Sequence, residues 1–570
     1  MAKPQFPAHR DNVVVAAVQW LWSRPLLFVL LAHTVFSIGI WNARDGYGEE
    51  TGKVAAAFRV VQSHQLHPSI YVNLIALALR YLTTDPVLAA TLMKYLSSLL
   101  ATMALCLALS RFSTVLRPSA ITSACLIWIA SSLDAPFAQS TSLQLFAFGV
   151  MLFGVCCLLR KESILALLGF YFLAMLAASL RPEYYLPVFL VSVALAGRAV
   201  WHASEITQSR LGLSRYWTCG VGLLLVTAGG VGLLNHPPAA LASKAAYLDN
   251  YALLGLGQCY AAFYHREHSQ EALSPMTEYQ ALLDRTFNKP KGFWDAVKNN
   301  PGEALRYFAN NAGYNVLRSL PRALLGHYRE QSEKTVRGWC YWTARGILLV
   351  GGLLGAKRLC RARWIWDDFI PKLPQRLLKP DSLTRKLLLL VALFSTSSVA
   401  AVLLVGTPRY YLPCVPLFYL GVAYCVDSLL KALNLLRWET LFVASVCVCF
   451  SGPNFLSPRP NYEMDAVRHV AAYVTERPRI AACWAEPDVV LGLGGKGEPV
   501  SMWDGIRQAD IEGGRIDILM IDTNFRSTKT WSDQRVFFER FERQPETCGF
   551  RQLTGIPTGR FVVYYRPKPA

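Results

Sequence analysis

The sequence is poor in charged residues, which make up 17% of its 570 positions, whereas about 25% is usual for a soluble domain. Acidic residues are the scarcer kind, because 38 Asp and Glu stand against 57 Lys and Arg. Cysteine is sparse as well, and 14 residues in this length exclude a disulfide-dense secreted scaffold. Hydrophobic residues make up 53% of the chain, which excludes intrinsic disorder. A nucleic-acid-binding protein and a membrane protein are the classes that remain.

Several motifs of soluble enzymes and of repeat proteins are also missing. No period of 20–50 residues recurs, which excludes a solenoid. The Gly-rich stretch Gly492–Gly497 is not followed by a helical pattern, as a phosphate-binding loop would be. No Cys-x-x-Cys pair has metal-ligand spacing, and the pairs His64/His67 and His265/His268 are weak metal signals by themselves.

What the sequence does contain is apolar runs of membrane length. A helix rises 1.5 Å per residue, so about 20 apolar residues cross a bilayer core of roughly 30 Å. Eleven runs meet or approach this length, whereas Ser69–Leu82 is shorter and is interpreted as interfacial or re-entrant. A twelfth span would also turn the Lys/Arg-rich connection 356–386 outward, against the positive-inside rule. The eleven runs are Pro25–Trp41, Ala90–Ser110, Ser119–Ser132, Leu143–Leu159, Ser163–Leu180, Tyr184–Ala199, Tyr216–Leu234, Cys340–Leu354, Leu387–Val405, Tyr410–Leu430 and Trp438–Phe450.

Basic residues accumulate in alternate connections between these runs. With the N-terminus in the cytoplasm, six segments on that side hold 21 basic and 7 acidic residues. Most of the net charge of +19 therefore indicates membrane topology and not a nucleic-acid surface. The first run follows basic residues and lacks a small-residue cleavage site, so we expect a signal anchor. The six segments are 1–24, 110–118, 160–162, 198–216, 356–386 and 431–439.

Three regions are predicted on the extracytoplasmic side, namely 42–89, 235–340 and 451–570. We predict two domains: a transmembrane module over 1–450, and a small α/β domain over 451–570, where short buried strands alternate with helices. Cys483 and Cys548 lie in the second domain, and whether they form a disulfide or remain thiols is left open. The predicted strands are Arg479–Trp484, Val489–Leu493, Ile516–Asp522 and Arg560–Tyr565, and the predicted helices are Asp465–Thr475 and Ser532–Phe541.

Ionisable residues collect at the extracytoplasmic ends of the runs, where they are costly and usually paired or functional. A carboxylate there can deprotonate an acceptor hydroxyl, and arginines can hold a phosphate bidentately. The combination suits group transfer from a lipid phosphate. The candidates, each with its structural alternative, are Asp45 (a turn with Gly46), Glu49 and Glu50 (a helix start), Lys94 (a lysine snorkelling to head groups), Asp134 (a helix cap), and Arg181 and Arg409 (interfacial anchors).

Four stretches together resemble the GT-C glycosyltransferases, which are membrane enzymes that use polyprenyl-phosphate sugars. They are RDGYGEE around Asp45, HPSIYVNLIALALRYL with Pro68 and Tyr71, LDAPF around Asp134, and the pair SLRPEYYLP and TPRYYLPCVP. The resemblance is strongest to the bacterial aminoarabinose transferase of lipid A, the protein O-mannosyltransferases and the arabinofuranosyltransferases. The resemblance covers roughly residues 25–430. The presence of an outer C-terminal domain is a further general feature that the chain shares with the family.

The resemblance implies an inverting glycosyltransferase of the bacterial inner membrane, acting on the outer face. It makes Asp45 the catalytic base, with Glu49 and Glu50 as secondary acids because the family's adjacent Asp-Glu is spread apart here. We expect no metal and no other cofactor, since the Asp-x-Asp pair of the metal-dependent relatives is missing. The partners implied are the polyprenyl-phosphate donor, a glycan, lipid or protein acceptor, and the bilayer. The donor-binding residues expected are Arg181, Arg409, Tyr410, Lys94, Asp134, Tyr71 and His67.

Two other functions are left open by the sequence. A polymer ligase of the O-antigen type belongs to the same superfamily, but it usually lacks a large domain after its last span. A transporter or channel would place polar residues at mid-membrane, whereas here they lie at span ends and about 220 residues fall in two outer regions.

Overall fold

The computed structural model of the chain is mostly helical, with one β-sheet near the C-terminus. It describes residues 24–37, 49–63, 66–67, 69–132, 135–160, 163–201, 238–268, 279–319, 349–358, 360–361, 382–403, 408–433, 466, 468–476, 478–482, 497–500, 506–526, 529–558 and 561–568.

Fourteen of the α-helices that precede the sheet in this described part of the chain are numbered here. Two short 3-10 turns, Pro182–Tyr184 and Pro408–Cys414, lie directly before α8 and α14. Residues 349–358 are helical as well. The fourteen helices are α1 (Pro25–Phe36), α2 (Glu49–Ser63), α3 (Ile70–Tyr81), α4 (Pro86–Ser110), α5 (Pro118–Ser132), α6 (Ala135–Arg160), α7 (Ile164–Leu180), α8 (Tyr185–Trp201), α9 (Pro238–Glu267), α10 (Tyr279–Phe287), α11 (Phe293–Asn299), α12 (Pro301–Tyr314), α13 (Ser382–Leu403) and α14 (Val415–Ala432).

Four of the described helical stretches are long and apolar enough to cross a membrane: Leu88–Ser110, Ser142–Arg160, Ser382–Val399 and Tyr411–Ala432. Five shorter apolar helices accompany them, namely α1, α3, α5, α7 and the first part of α8. All nine coincide with apolar runs predicted from the sequence, α3 being the short one. The predicted runs Tyr216–Leu234 and Trp438–Phe450 lie outside the described residues, and Cys340–Leu354 is described only from residue 349, so the count of eleven stays a prediction.

The apolar helices pack around one core, which includes buried side chains from α4 to α8, α13 and α14. Trp128 of α5 lies in its centre, fully buried, with its ring edge-to-face against Tyr419 of α14 at 5.7 Å. The Trp128 Nε1–H donates to Thr102 Oγ1 of α4 over 3.1 Å, so the one polar atom of the indole is satisfied inside the bundle. The bundle has two ends. At one end α4 and α14 finish and α5 and α13 start, and we call it the basic end. We call the opposite end the site end.

The C-terminal region forms a five-stranded mixed sheet. The strand order is β2-β1-β3-β5-β4, with β1 parallel to β2 and β3, and β5 antiparallel to β3 and β4. Every residue of β3 is buried, which explains its unbroken apolar sequence ILMI. The strands are β1 (Arg479–Ala482), β2 (Glu498–Val500), β3 (Ile518–Ile521), β4 (Arg551–Gln552) and β5 (Val562–Tyr565), and the helices packed among them are α15 (Gln508–Glu512), α16 (Thr523–Arg526), α17 (Lys529–Asp533) and α18 (Arg535–Arg543).

Three predicted strands coincide with β1, β3 and β5, and the predicted helix Ser532–Phe541 overlaps α18. The predicted strand Val489–Leu493 lies outside the described residues, and so does Cys483. Cys548 is partly buried at the end of a 3-10 turn, so its disulfide with Cys483 stays a prediction. The sequence did not predict β2, which is only three residues long and contains Pro499.

Candidate active site

The first region predicted to be extracytoplasmic, in its described part, folds into two short helices that lie against the site end of the bundle. Val54 and Ala57 of α2 pack with Tyr71 of α3 and with Met93 of α4 in one buried apolar cluster. The apolar side chains Val54 and Ala57 of α2 are therefore covered by protein. Glu49 and Glu50 form the first turn of α2, which is the helix-start position that acidic residues favour.

Tyr71 connects α3 to α6 through a buried hydrogen bond. Its hydroxyl lies 2.7 Å from Ser142 Oγ, and the side chain is 1% exposed. Its ring also packs on Phe146, with the centroids 5.7 Å apart. In this structure Tyr71 holds α3 in position and presents no surface to a ligand, so its expected contact with a donor stays a prediction.

His67 forms a local turn that begins α3. The His67 backbone N–H donates to Asn73 Oδ1 over 2.8 Å, and Asn73 Nδ2 donates back to the His67 carbonyl over 2.7 Å. The Ser69 backbone N–H donates to His67 Nδ1 over 3.0 Å. An Nδ1 that accepts a hydrogen bond leaves the proton of the neutral ring on Nε2, so Nε2 is the atom through which this ring can donate to an anion.

Lys94 lies inside the bundle, on α4 near the site end. Its exposed fraction is 4%, whereas a lysine that snorkels keeps its ammonium group in water. The burial therefore argues against the snorkelling alternative. A buried ammonium group is retained only where polar or charged partners compensate it.

Arg181 ends α7 and pairs with the next acidic residue in the chain. Arg181 Nε donates to Glu183 Oε1 over 2.7 Å, and the side chains are 18% and 28% exposed. The intervening Pro182 begins a 3-10 turn that brings the carboxylate back onto the arginine. This contact uses one of the five N–H donors of the guanidinium, so the same group can also hold an oxyanion.

Arg409 and Tyr410 lie in the second 3-10 turn, Pro408–Cys414. The sequence predicts a membrane run from Tyr410, and the apolar helical stretch is Tyr411–Ala432, but its α-helical part begins only at Val415. Pro413 explains the difference, because its ring nitrogen has no N–H to donate to an α-helical carbonyl. Both 3-10 turns contact α13, so the backbone at Arg181 and at Arg409 is held by the same helix. The side chains of Arg409 and Tyr410 lie outside what the structure describes.

Part of the second region predicted to be extracytoplasmic is anchored at this same end. Tyr307 of α12 donates its hydroxyl to the Leu403 carbonyl over 2.9 Å, and Asn311 Nδ2 donates to the Val402 carbonyl over 3.1 Å. Both carbonyls belong to the last turn of α13, where a helix has no partners of its own for them. α12 thus caps the C-terminal end of α13.

An aromatic cluster holds this anchoring helix to its neighbours. Tyr260 of α9 packs edge-to-face on Tyr307 at 5.8 Å, and its hydroxyl donates to Glu303 Oε1 over 2.8 Å. Burial, followed by the hydrogen bond to Glu303, raises the pKa of Tyr260 above its usual value. The phenol therefore remains a proton donor to the carboxylate throughout the physiological range.

Three polar residues of the site end were not singled out from the sequence. His33 of α1 is fully buried, and its Nε2 lies 3.1 Å from Ser98 Oγ, one helical turn along α4 from Lys94. Gln144 of α6 is 3% exposed. The atoms His33 Nδ1 and Gln144 Oε1 have no hydrogen-bond partner among the described residues. A histidine inside the apolar run Pro25–Trp41 was the sequence signal that could have identified the first of these.

The predicted catalytic base, Asp45, lies outside the described residues, as do Asp134, Pro68 and His64. The described part of the chain has no group of three or more His, Cys, Asp or Glu side chains that could hold a metal ion. Metal independence stays a prediction.

Comparison with solved structures finds similar folds over nearly the whole chain. ArnT from Cupriavidus metallidurans bound to undecaprenyl phosphate is 13% identical, with 96% of this chain and 98% of that chain covered and a TM-score of 0.49. Archaeal oligosaccharyltransferase AglB from Archaeoglobus fulgidus, in complex with an inhibitory peptide and a dolichol-phosphate, is 12% identical. The match covers 96% of this chain and 75% of that chain, with a TM-score of 0.44. These solved structures are GT-C superfamily glycosyltransferases.

No family model matches the chain, and no curated protein matches it in sequence. At these identities and TM-scores the likeness says nothing about the reaction, so the function is proposed from the residues of the chain itself.

Proposed function

We propose that the chain is an inverting glycosyltransferase that moves a single sugar from a polyprenyl-phosphate donor to an acceptor at the extracytoplasmic membrane face. One observation carries the proposal. The 3-10 turn that follows Arg181 and the 3-10 turn that contains Arg409 contact the same helix, α13, at the end of the bundle where Lys94 is buried. Three basic residues at one end of an apolar bundle suit a phosphate whose lipid tail lies alongside the helices.

The reaction needs a stabilised leaving group and an activated acceptor. As the bond between the sugar and the phosphate breaks, negative charge grows on the phosphate. Cations that are already in position stabilise this charge most effectively where water is scarce. Arg181 is already oriented by Glu183 and is largely buried, so little ordering is needed when the phosphate binds. Asp45 takes the acceptor proton, and no metal is required in this scheme.

The remaining hydrogen-bond donors of Arg181 also favour a phosphate over a neutral ligand. Glu183 neutralises Arg181 in the resting pair, and a bound phosphate adds further acceptors to the remaining donors of the guanidinium. Eleven spans, a cytoplasmic N-terminus and an outer C-terminal domain belong to the same proposal, because they place Arg181, Arg409 and Lys94 on the outer side.

The proposal is tested by replacing Arg181 in the purified, reconstituted enzyme. We expect Arg181→Gln to lower the rate of transfer from a polyprenyl-phosphate sugar by roughly 100-fold, the usual cost of losing one donor to a developing oxyanion. Arg285→Gln is the matched control, since Arg285 donates to the Tyr264 hydroxyl on an exposed surface. Equal transfer by the Arg181→Gln variant and the unchanged enzyme would contradict the assignment.

Single-sugar transfer and polymer ligation are separated by the donor. The purified protein is given a polyprenyl-phosphate monosaccharide and, in parallel, a long lipid-linked glycan. The proposal predicts product only from the first. Product only from the second would instead identify a ligase.

A further inference from the structure

A buried carboxylate surrounded by cations lies at the basic end of the bundle, away from the candidate active site. Asp427 of α14 is fully buried. Its Oδ2 lies 2.9 Å from Arg358 Nη1 and 2.6 Å from Lys431 Nζ, and its Oδ1 lies 3.7 Å from Arg117 Nε. We call these three basic residues with Asp427 the cation tripod.

The cation tripod joins parts of the chain that are far apart in sequence. Arg117 precedes α5, Arg358 belongs to the helical residues 349–358, and Lys431 lies in the last turn of α14. These are three of the segments that the sequence predicts on one side of the membrane, so the structure brings together segments that were grouped by charge alone.

The charges of the cation tripod do not balance. Three cations face one carboxylate, which leaves a net charge of +2 on four side chains. Each cation keeps 36–40% of its side chain exposed while the carboxylate has none. The surface that the tripod presents is therefore positive, and the anion that holds the cations together lies beneath them.

A second basic group continues this surface. Lys386 at the start of α13 donates its ammonium to the Arg111 carbonyl over 2.6 Å, and Arg385 is its neighbour in the chain. Arg111 and Arg117 lie in the short connection between α4 and α5. The described residues 110–118, 349–358, 382–390 and 424–433 contain no acidic residue other than Asp427.

We propose that the cation tripod binds the phosphate of an anionic phospholipid in the leaflet at the basic end. Its cations are gathered in advance by Asp427, and a guanidinium that contacts a carboxylate on one side still has N–H donors for a phosphate on the other. Basic clusters between membrane helices on the cytoplasmic side are suited to such head groups.

The surroundings of the cluster favour a lipid over a free anion. Apolar side chains that are 42–64% exposed flank the basic residues, namely Val115 between Arg111 and Arg117, Leu433 beyond Lys431, and Leu353 on the helix of Arg358. An inorganic phosphate would gain nothing from these side chains, whereas the acyl chains of a phospholipid would cover them. This site does not depend on the proposed glycosyltransferase reaction.

The test measures lipid binding by the full-length protein in a neutral detergent. Phosphatidylglycerol is titrated by native mass spectrometry, with phosphatidylcholine and inorganic phosphate as separate arms. We expect the Arg117→Gln/Arg358→Gln double variant to bind phosphatidylglycerol roughly tenfold more weakly and phosphatidylcholine unchanged. The matched control, Arg535→Gln/Arg540→Gln, removes two exposed arginines of α18 and should bind like the unchanged protein.

Two results overturn the inference. One is an unchanged affinity of the double variant for phosphatidylglycerol. The other is inorganic phosphate competing for the site at the same concentration as the lipid, which would identify a site for a free anion. If the double variant does not fold, Lys431→Gln replaces it, with an expected weakening of roughly threefold, and an unchanged affinity of this variant also overturns the inference.

Discussion

The hydrogen bonds from α12 to the end of α13 give the sharpest test of how the outer region is held at the candidate site. Tyr307→Phe removes one hydroxyl and keeps the ring, which is fully buried among Tyr260, Phe263 and Phe308. The change therefore leaves no cavity. It destabilises the contact because the Leu403 carbonyl loses the hydrogen bond that it accepts from the Tyr307 hydroxyl over 2.9 Å. A buried acceptor left unsatisfied costs about 1–3 kcal/mol.

This free energy sets the size of the expected effect on local opening. Since 1.4 kcal/mol is a factor of ten, opening of the contact between α12 and α13 should become roughly 5- to 140-fold more frequent. Hydrogen exchange measured by mass spectrometry on peptides covering 301–314 and 399–411 checks this. We expect faster exchange in both peptides and unchanged exchange in 418–430.

A matched control distinguishes this anchor from a general effect of removing a phenol. Tyr264→Phe removes a hydroxyl that accepts from Arg285 on an exposed surface, where the loss is expected to be small. If Tyr307→Phe exchanges no faster than the unchanged protein, or no faster than Tyr264→Phe, the hydrogen bond does not hold α12 to α13.

Two further predictions concern stability elsewhere in the chain. Asp427→Asn leaves three cations around a neutral group. Removing one partner of a buried ion pair costs about 3–5 kcal/mol, and the partial exposure of the cations reduces this cost to roughly 2 kcal/mol. The detergent-solubilised variant should therefore unfold at a lower temperature, and an unchanged unfolding midpoint would contradict the electrostatic role of Asp427. Phe538→Ala empties the centre of the aromatic cluster that Phe538 forms with Phe525 and Trp531 beside β3. The loss should lower the free energy of unfolding by about 3–5 kcal/mol, and it is measured as increased protease sensitivity of residues 506–568. Val536→Ala, at an 84% exposed position of the same helix, is the control.

The helices that cross or approach membrane length were predictable because burial in a bilayer demands continuous apolar sequence. The boundaries agree within a few residues for α5 and α7. The run predicted from Tyr410 agrees with the span Tyr411–Ala432, but an apolar run does not reveal that Pro413 keeps Pro408–Cys414 out of an α-helix. The prediction also missed β2, because three residues with a proline carry no strand signal.

The candidate site was predictable only in part. Arg181 and Lys94 stood out because ionisable residues are rare at the ends of apolar runs, and the structure shows the first paired with Glu183 and the second buried. The ion pairs of Asp427 with Arg117 and Arg358 could not be predicted from the sequence. Arg358 is 69 positions from Asp427 and Arg117 is farther still, so no local pattern connects these residues. Tyr71 was expected near the donor, yet its hydrogen bond to Ser142 depends on the packing of α3 on α6, which no local pattern specifies.

The central claim is that Asp45 is the base of a transfer reaction at the extracytoplasmic membrane face. The most direct measurement is the transfer of a radiolabelled sugar from polyprenyl phosphate to a membrane-derived acceptor by the purified Asp45→Asn variant, beside Glu49→Gln and Glu50→Gln. The account predicts that Asp45→Asn binds polyprenyl phosphate like the unchanged enzyme but transfers no sugar, while the two glutamate variants remain active. Full transfer by Asp45→Asn would contradict it.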